Sequence, residues 1–182
     1  MRIISGKHKG RILCSFEGSD IRPTADRAKE ALFNIYKDRI AGKTFLDLFC
    51  GSGNVGIEAL SRGAAVTLVD NSVKSVELSK KNLALIKENC EVVLCDALEY
   101  LRRTDKKFDY IFIDPPYAAD TGLKALSIIG ERNLLNDGGV AVYERDGAES
   151  EEIKGLYFIA SRRYGKACFN IYENRGGVIN ER

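Results

Sequence analysis

A chain of 182 residues, 45% hydrophobic and 30% charged, suits one globular domain with a small appendage, and no apolar run approaches the ~20 residues of a membrane span. Its net charge of +2 is unevenly spread: residues 1–43 carry 10 basic and 5 acidic side chains, residues 44–153 carry 12 and 19, and residues 154–182 carry 6 and 2. Five cysteines (14, 50, 90, 95 and 168) without a Cys-x-x-Cys pair, and His8 as the only histidine, speak against a disulfide framework, a zinc knuckle, a His-dependent triad or any other metal site.

The first residues, Met1-Arg2-Ile3-Ile4-Ser5-Gly6, lack the apolar core of a signal peptide, so a cytoplasmic location is expected. Arg2–Ser5 and Arg11–Phe16 are predicted to pair as strands around Gly6–Gly10. Thr24 reads as the N-cap of a helix whose apolar face (Ala28, Leu32, Ile35, Tyr36) continues to about Ile40. Residues 1–42 thus form a basic hairpin-and-helix extension, and 43–182 the main domain. Basic ends around an acidic middle fit an anionic polymer docking on one part of the surface; charge that merely aids solubility is the alternative.

From Lys43 the pattern alternates. Thr44–Phe49 reads as a first strand and Asn54–Ser61 as a helix. Between them, Gly51-Ser52-Gly53-Asn54-Val55-Gly56 matches the G-x-G-x-x-G spacing of a nucleotide-cofactor loop. Asp47 stands four residues before Gly51, at the expected mouth of that loop. A carboxylate there would repel a pyrophosphate and attract the ammonium and sulfonium of S-adenosylmethionine. Phe49, Cys50, Gly51, Ser52 and Gly53 complete this part of the candidate cofactor site.

Ala65–Val69 is a second strand, ending at Asp70-Asn71, where an acidic residue reaches ribose hydroxyls; a helix cap is the alternative role. A helix follows from about Ser72 to Ile86. Glu91–Cys95 is a third strand, and Asp96-Ala97 after it would face the adenine, cap the next helix, or do both. Phe108–Ile113, nearly all apolar, reads as a fourth strand buried on both faces.

That strand runs into Asp114-Pro115-Pro116-Tyr117. Two prolines fix φ and remove two backbone donors, leaving rigid carbonyl acceptors beside a carboxylate and an aromatic face. Such an array suits a planar exocyclic amine. Asp114 and the Pro115 carbonyl accept its hydrogens, and Tyr117 stacks on its ring. A helix at Gly122–Arg132 and a fifth strand at Gly139–Glu144 follow. Leu156–Arg163 and Ala167–Glu173 then form an antiparallel hairpin turning at Gly165. The expected fold is α/β and Rossmann-like. It has a mainly parallel seven-stranded sheet closed by an antiparallel C-terminal hairpin, as in class I methyltransferases.

Asp/Asn-Pro-Pro-Tyr/Phe resembles the loop of amino-group methyltransferases acting on adenine N6, guanine N2 or protein glutamine. The segments Arg2-Ile3-Ile4-Ser5-Gly6, Lys9-Gly10-Arg11, Arg22-Pro23-Thr24-x-Asp26-Arg27, Lys29-Glu30-Ala31-Leu32-Phe33-Asn34, Phe45–Gly53 and Arg163-Tyr164-Gly165 resemble a narrower group. These are the bacterial 16S ribosomal RNA guanine-N2 methyltransferases of the RsmD type. The resemblance covers nearly the whole chain. It implies S-adenosylmethionine as cofactor and one guanine of 16S ribosomal RNA as target, in a partly assembled small subunit. Tyr117 stands where Phe is common, and Asn54 and Val55 where many relatives carry other small or polar residues. Arg2, Lys7, Lys9, Arg11, Arg22, Thr24 and Arg27 are the candidate RNA contacts. The competing readings are the same chemistry on DNA adenine or protein glutamine, a non-catalytic cofactor-binding assembly factor, and a nicotinamide-dependent oxidoreductase.

Overall fold

A computed structural model describes residues 1–16, 23–36, 39–116, 119–145, 147 and 151–176, with the backbone alone at 23–26 and 119. Twelve elements are defined among them: α1 (Pro23–Ile35), β1 (Thr44–Asp47), α2 (Asn54–Ser61), β2 (Ala65–Asp70), α3 (Val73–Leu85), β3 (Glu91–Leu94), α4 (Ala97–Arg103), β4 (Phe108–Ile113), α5 (Ala119–Glu131), β5 (Leu135–Arg145), β6 (Tyr157–Tyr164) and β7 (Ala167–Glu173).

The seven strands form one sheet in the order β3-β2-β1-β4-β5-β7-β6. β1 to β5 run parallel, and β7 is antiparallel to both β5 and β6. The chain winds outward from β1 to β3, then returns to add β4 and β5 on the other side of β1. The strand order therefore reverses between β1 and β4, where open α/β sheets form a crevice beyond the carboxyl ends of their strands. Asp47 and Ile113 end the two strands that flank this point, and Asp70 ends β2, the next strand out from β1.

Both faces of the sheet are covered, as the apolar runs require. Strand alternation sends Phe45 to one face and Leu46 to the other. On the first face Phe45, Leu68, Phe112 and Phe169 pack with Leu32, Phe33 and Ile57 from the helices and Ile3 from the N-terminal segment. On the second, Leu46, Ile111, Ile113 and Tyr143 pack with Leu101, Leu126 and Ile129. Fully burying one such side chain stabilises by about 1.5–3 kcal/mol. No helix among the described residues is long and apolar enough to cross a membrane.

The N-terminal extension departs from expectation in two ways. The pairing of Arg2–Ser5 with Arg11–Phe16 forms but is short: around one bridge, Arg2 to Ile12, Ile3 N–H donates to the Arg11 carbonyl at 2.9 Å, Gly10 N–H to the Ile3 carbonyl at 2.8 Å and Leu13 N–H to the Met1 carbonyl at 2.9 Å. Beyond it the amides find side-chain acceptors instead: Ile4 N–H and Ser5 N–H donate to Glu58 at 2.7 and 3.0 Å, and Cys14 N–H donates to Asn82 Oδ1 at 2.8 Å. α1 begins at Pro23, so Thr24 lies in its first turn rather than capping it, and ends at Ile35, short of Ile40. Proline is favoured at a first helical position because its missing N–H has no intrahelical partner to lose.

Glu58 is fully buried on α2 and anchors the extension. Besides the two amides, it accepts from Arg62 Nε at 2.9 Å and pairs with Lys29 Nζ at 3.4 Å. Lys29, also buried, donates to the Arg2 carbonyl at 2.6 Å and to Asn54 Oδ1 at 2.9 Å. Two buried charges are tolerated because the Glu58 carboxylate is paired and both side chains are hydrogen-bonded. The result fastens α1 and the basic N-terminus to the start of α2.

Candidate active site

At the carboxyl ends of the strands lies a cleft of about 920 Å³. This is toward the upper end of the ~300–1,000 Å³ usual for small-molecule sites, and gives room for a cofactor and a base together. One end is lined by Phe49, Gly51, Asp70, Asn71, Asp96 and Ala97, the other by Asp114, Pro115 and Pro116. A smaller hollow between α4 and α5, around Leu123 and Ile128, is away from the strand ends and lacks such an array of carboxylates.

Six of the ten candidate cofactor residues line the cleft, and four do not. Asp47 is the main correction. It lies beneath the loop, 2% exposed, rather than at its mouth. Alternation along β1 puts Asp47 on the same face as Phe45, toward α2. There its Oδ2 accepts from Gly56 N–H at 2.9 Å. Gly56 is in the first turn of α2, whose amides have no intrahelical acceptor, and Gly53 before it offers no side-chain cap. Asp47 thus caps α2 from the neighbouring strand. Burial, and then the charges of Asp114 and Asp70, push its carboxyl up to about 7, against the pull of the Gly56 bond.

Cys50, Ser52 and Gly53 also turn away from the cleft. Cys50 is buried, with Sγ 3.7 Å from Ser79 Oγ, and burial pushes its thiol well up. Ser79 Oγ donates to the Gly51 carbonyl and Asn82 Nδ2 to the Ser52 carbonyl, both at 2.9 Å. Two fully buried polar side chains of α3 therefore hold the loop from behind. Neither was singled out in the sequence; the signal was polar residues three apart on the helix's inner face. Gly51 itself has φ of +52° and faces open space where a Cβ would stand, so the backbone there is reachable by a ligand.

Asp70 accepts from Gly51 N–H at 2.8 Å and from Ser72 N–H at 2.9 Å, one bond to each oxygen. A carboxylate has about four acceptor sites, so two remain for hydroxyl groups. Asp96 caps α4 by accepting from Glu99 N–H at 3.0 Å, and its other oxygen remains for the cleft. Capping and ligand contact are compatible there.

Asp114 follows β4 and opens to solvent through the cleft, though protein crowds most of its surroundings. Burial pushes its carboxyl up to about 6, a shift that water in the open cleft moderates. Pro115 and Pro116 line the same wall. Tyr117 lies outside the described residues. Thr121, Tyr143, Glu144, Arg145 and Lys166 also line the cleft and were not anticipated.

Of the candidate RNA contacts, Arg2, Lys9, Arg11 and Arg27 are exposed. Lys7 is exposed but pairs with Glu88 at 2.6 Å, which His8 also approaches at 2.8 Å. Arg22 lies outside the described residues, as does the Thr24 side chain. The arm sits beside the glycine loop: Ser52 Oγ is 3.4 Å from Met1 Sδ, and Lys29 reaches Asn54.

Residues 1–173 match the family model described as "Conserved hypothetical protein 95". The chain is 36% identical to the ribosomal RNA small subunit methyltransferase D of Haemophilus influenzae, over 96% of this chain and 94% of that one. It is 39% identical to the Escherichia coli protein of the same name, over 76% and 68%. Among solved structures, an Escherichia coli protein provisionally described as a methyltransferase superposes with a TM-score of 0.84 at 30% identity, covering 96% of this chain and 97% of that one. A Thermus thermophilus 16S rRNA N2 G1207 methyltransferase, in complex with AdoMet and guanosine, shares the fold at a TM-score of 0.69 and 22% identity, over 88% of this chain and 45% of that one.

Proposed function

Because the chain belongs to the family described as Conserved hypothetical protein 95, that of ribosomal RNA small subunit methyltransferase D, we propose that it methylates the exocyclic N2 amino group of one guanine in 16S ribosomal RNA. The acceptor is RNA in an assembling small subunit, residues 1–42 dock it, and residues 43–182 carry the chemistry. One observation carries this reading: Asp114 and Pro115 open into the same cleft as Gly51, Asp70 and Asp96.

The cleft fits S-adenosylmethionine by the chemistry of its donor set. Asp70 has acceptor sites left for ribose hydroxyls, Asp96 has one oxygen for the adenine amine, and the floor is acidic, which favours a cation over a pyrophosphate. The Gly51 backbone is open to close approach. When bound, S-adenosylmethionine would supply an electrophilic methyl group, the electron pair of the broken S–C bond staying on sulfur as the thioether leaves.

The chain's own residues do the rest. Asp114 accepts one N–H of the amine and the Pro115 carbonyl accepts the other, which turns the nitrogen lone pair toward the methyl. Positive charge grows on that nitrogen as the N–C bond forms, and the fixed Asp114 carboxylate offsets it; losing such a partner typically costs ~2.7 kcal/mol or more, about a hundredfold in rate at the least. The methylated ammonium then releases its proton to Asp114, which is more basic than an ordinary carboxylate because it is crowded by protein. Tyr117 stacks on the guanine, which must be unpaired or flipped out to enter.

Tritiated S-adenosylmethionine offered with RNA, DNA and protein fractions from cells lacking the gene tests the substrate class. Label in small-subunit ribosomal RNA is the expected result. Label confined to DNA or protein overturns the reading.

A further inference from the structure

The cleft has an acidic end and a mixed one. Asp70 and Asp96 line the first, while Arg145 and Lys166 line the second beside Glu144, beyond Asp114. The register adds a third cation. Arg145 on β5 pairs with Cys168 on β7, and Cys168 pairs with Arg163 on β6. Directly paired residues share a face, so Arg145 and Arg163 stand on one side of the sheet with a small, buried cysteine between them. Their backbones are two strand spacings apart, roughly 10 Å. Arg162 pairs with Phe169 and so belongs to the other face.

Lys166 is exposed in the β6–β7 turn and makes no ion pair among the described residues. Arg145, whose side chain is only 11% exposed, pairs with Glu151 at 3.8 Å, lies 5.7 Å from the Tyr143 ring and lines the cleft wall. Arg145 and Lys166 line the cleft on the Asp114 side, and Arg163 stands on the same side of the sheet as Arg145. The N-terminal cations are a separate set, carried by a segment fastened to α2 and α3.

We propose that Arg145, Arg163 and Lys166 form a wall that holds phosphates of the RNA strand flanking the base presented to Asp114. This rests on the reading that RNA is the substrate. The three side chains are positioning residues: they fix the strand so that one nucleotide reaches the Asp114-Pro115-Pro116 wall.

The test compares two double variants of equal charge. Arg163→Gln with Lys166→Gln removes two cations of the wall. Lys43→Gln with Lys107→Gln removes two at the opposite, amino-terminal ends of β1 and β4. Both are measured with small ribosomal subunits from a strain lacking the gene and with the ribosomal RNA extracted from them, alongside thermal stability and S-adenosylmethionine affinity. In the wall variant, the dependence of log affinity on log salt is expected to flatten by about 0.7 for each lost contact on a single strand. KM for RNA is expected to rise about tenfold or more. Cofactor affinity and kcat should hold. A wall variant that matches the control variant in slope and KM, while wild-type protein methylates the RNA, overturns the wall alone. Wild-type protein that methylates no RNA overturns the substrate reading and the wall with it.

Discussion

Asp47→Asn replaces a buried carboxylate with a neutral group of nearly the same shape. The amide oxygen still accepts from Gly56 N–H, so the cap on α2 survives. What changes is titration. The folded carboxyl titrates near 7 rather than 3.8, because of burial first and then Asp114 and Asp70. Between about pH 4 and 7 the folded protein therefore keeps a proton that the unfolded chain has released. Stability contributed by that proton is full below about 4, declines as pH rises, and is gone above about 7. A displacement from 3.8 to about 7 corresponds to about 4 kcal/mol over that window. Asparagine has no such slope, but its amide hydrogens need partners, at a cost of about 1–3 kcal/mol at every pH. The variant should thus be the less stable protein at pH 4.5 and the more stable one at pH 8. Urea unfolding followed by circular dichroism at both pH values checks this without ligand. Stability differences between the two proteins that are the same at pH 4.5 and pH 8 would refute the reasoning.

Three further outcomes follow from the same structure. Asp114→Asn should lower kcat about a hundredfold while cofactor affinity, measured by calorimetry, stays within about twofold; wild-type kcat should fall as pH drops below about 6, where Asp114 gains a proton, and the variant should lose that limb. Gly56→Ala puts a Cβ 2.2 Å from Leu68 Cδ2 and 3.2 Å from Asp47 Oδ2, so it should destabilise by about 1–3 kcal/mol in thermal unfolding. Lys29→Met removes one partner from the buried Glu58 and should cost about 3–5 kcal/mol, with residues 1–16 becoming the first site of limited proteolysis; Lys29→Met with Glu58→Gln should recover part of the loss.

The sequence carried the sheet and the place of the cleft, because both rest on patterns that local physics enforces. The apolar run of β4 and the helical spacing of α2 appear at the expected residues, and the Gly165 turn closes the hairpin. Asp114 was legible because nothing but a proline-fixed turn fits two prolines after a buried strand. Asp47 was misplaced because spacing gives distance along the chain, not the direction of a side chain. Strand alternation from Phe45 holds that information, once α2 is known to cover that face. The Lys29–Glu58 pair was missed because a lysine in an amphipathic helix ordinarily faces water. The only hint was Glu58 inside the apolar stretch of α2. The N-terminal hairpin is shorter than expected for a related reason: past Ile3 and Leu13, pairing is outcompeted by long-range side-chain acceptors that no local pattern reveals. Arg145, Arg163 and Lys166 meet only through the register of three strands, which the sequence does not state.

The most direct measurement is nucleoside mass spectrometry on small-subunit ribosomal RNA from a strain lacking the gene, after incubation with S-adenosylmethionine and either wild-type protein or Asp114→Asn. The expected result is N2-methylguanosine at one position with the wild type, and about a hundredfold less at early times with the variant. Methyl groups on another base, or equal labelling by both proteins, would contradict the assignment of this cleft.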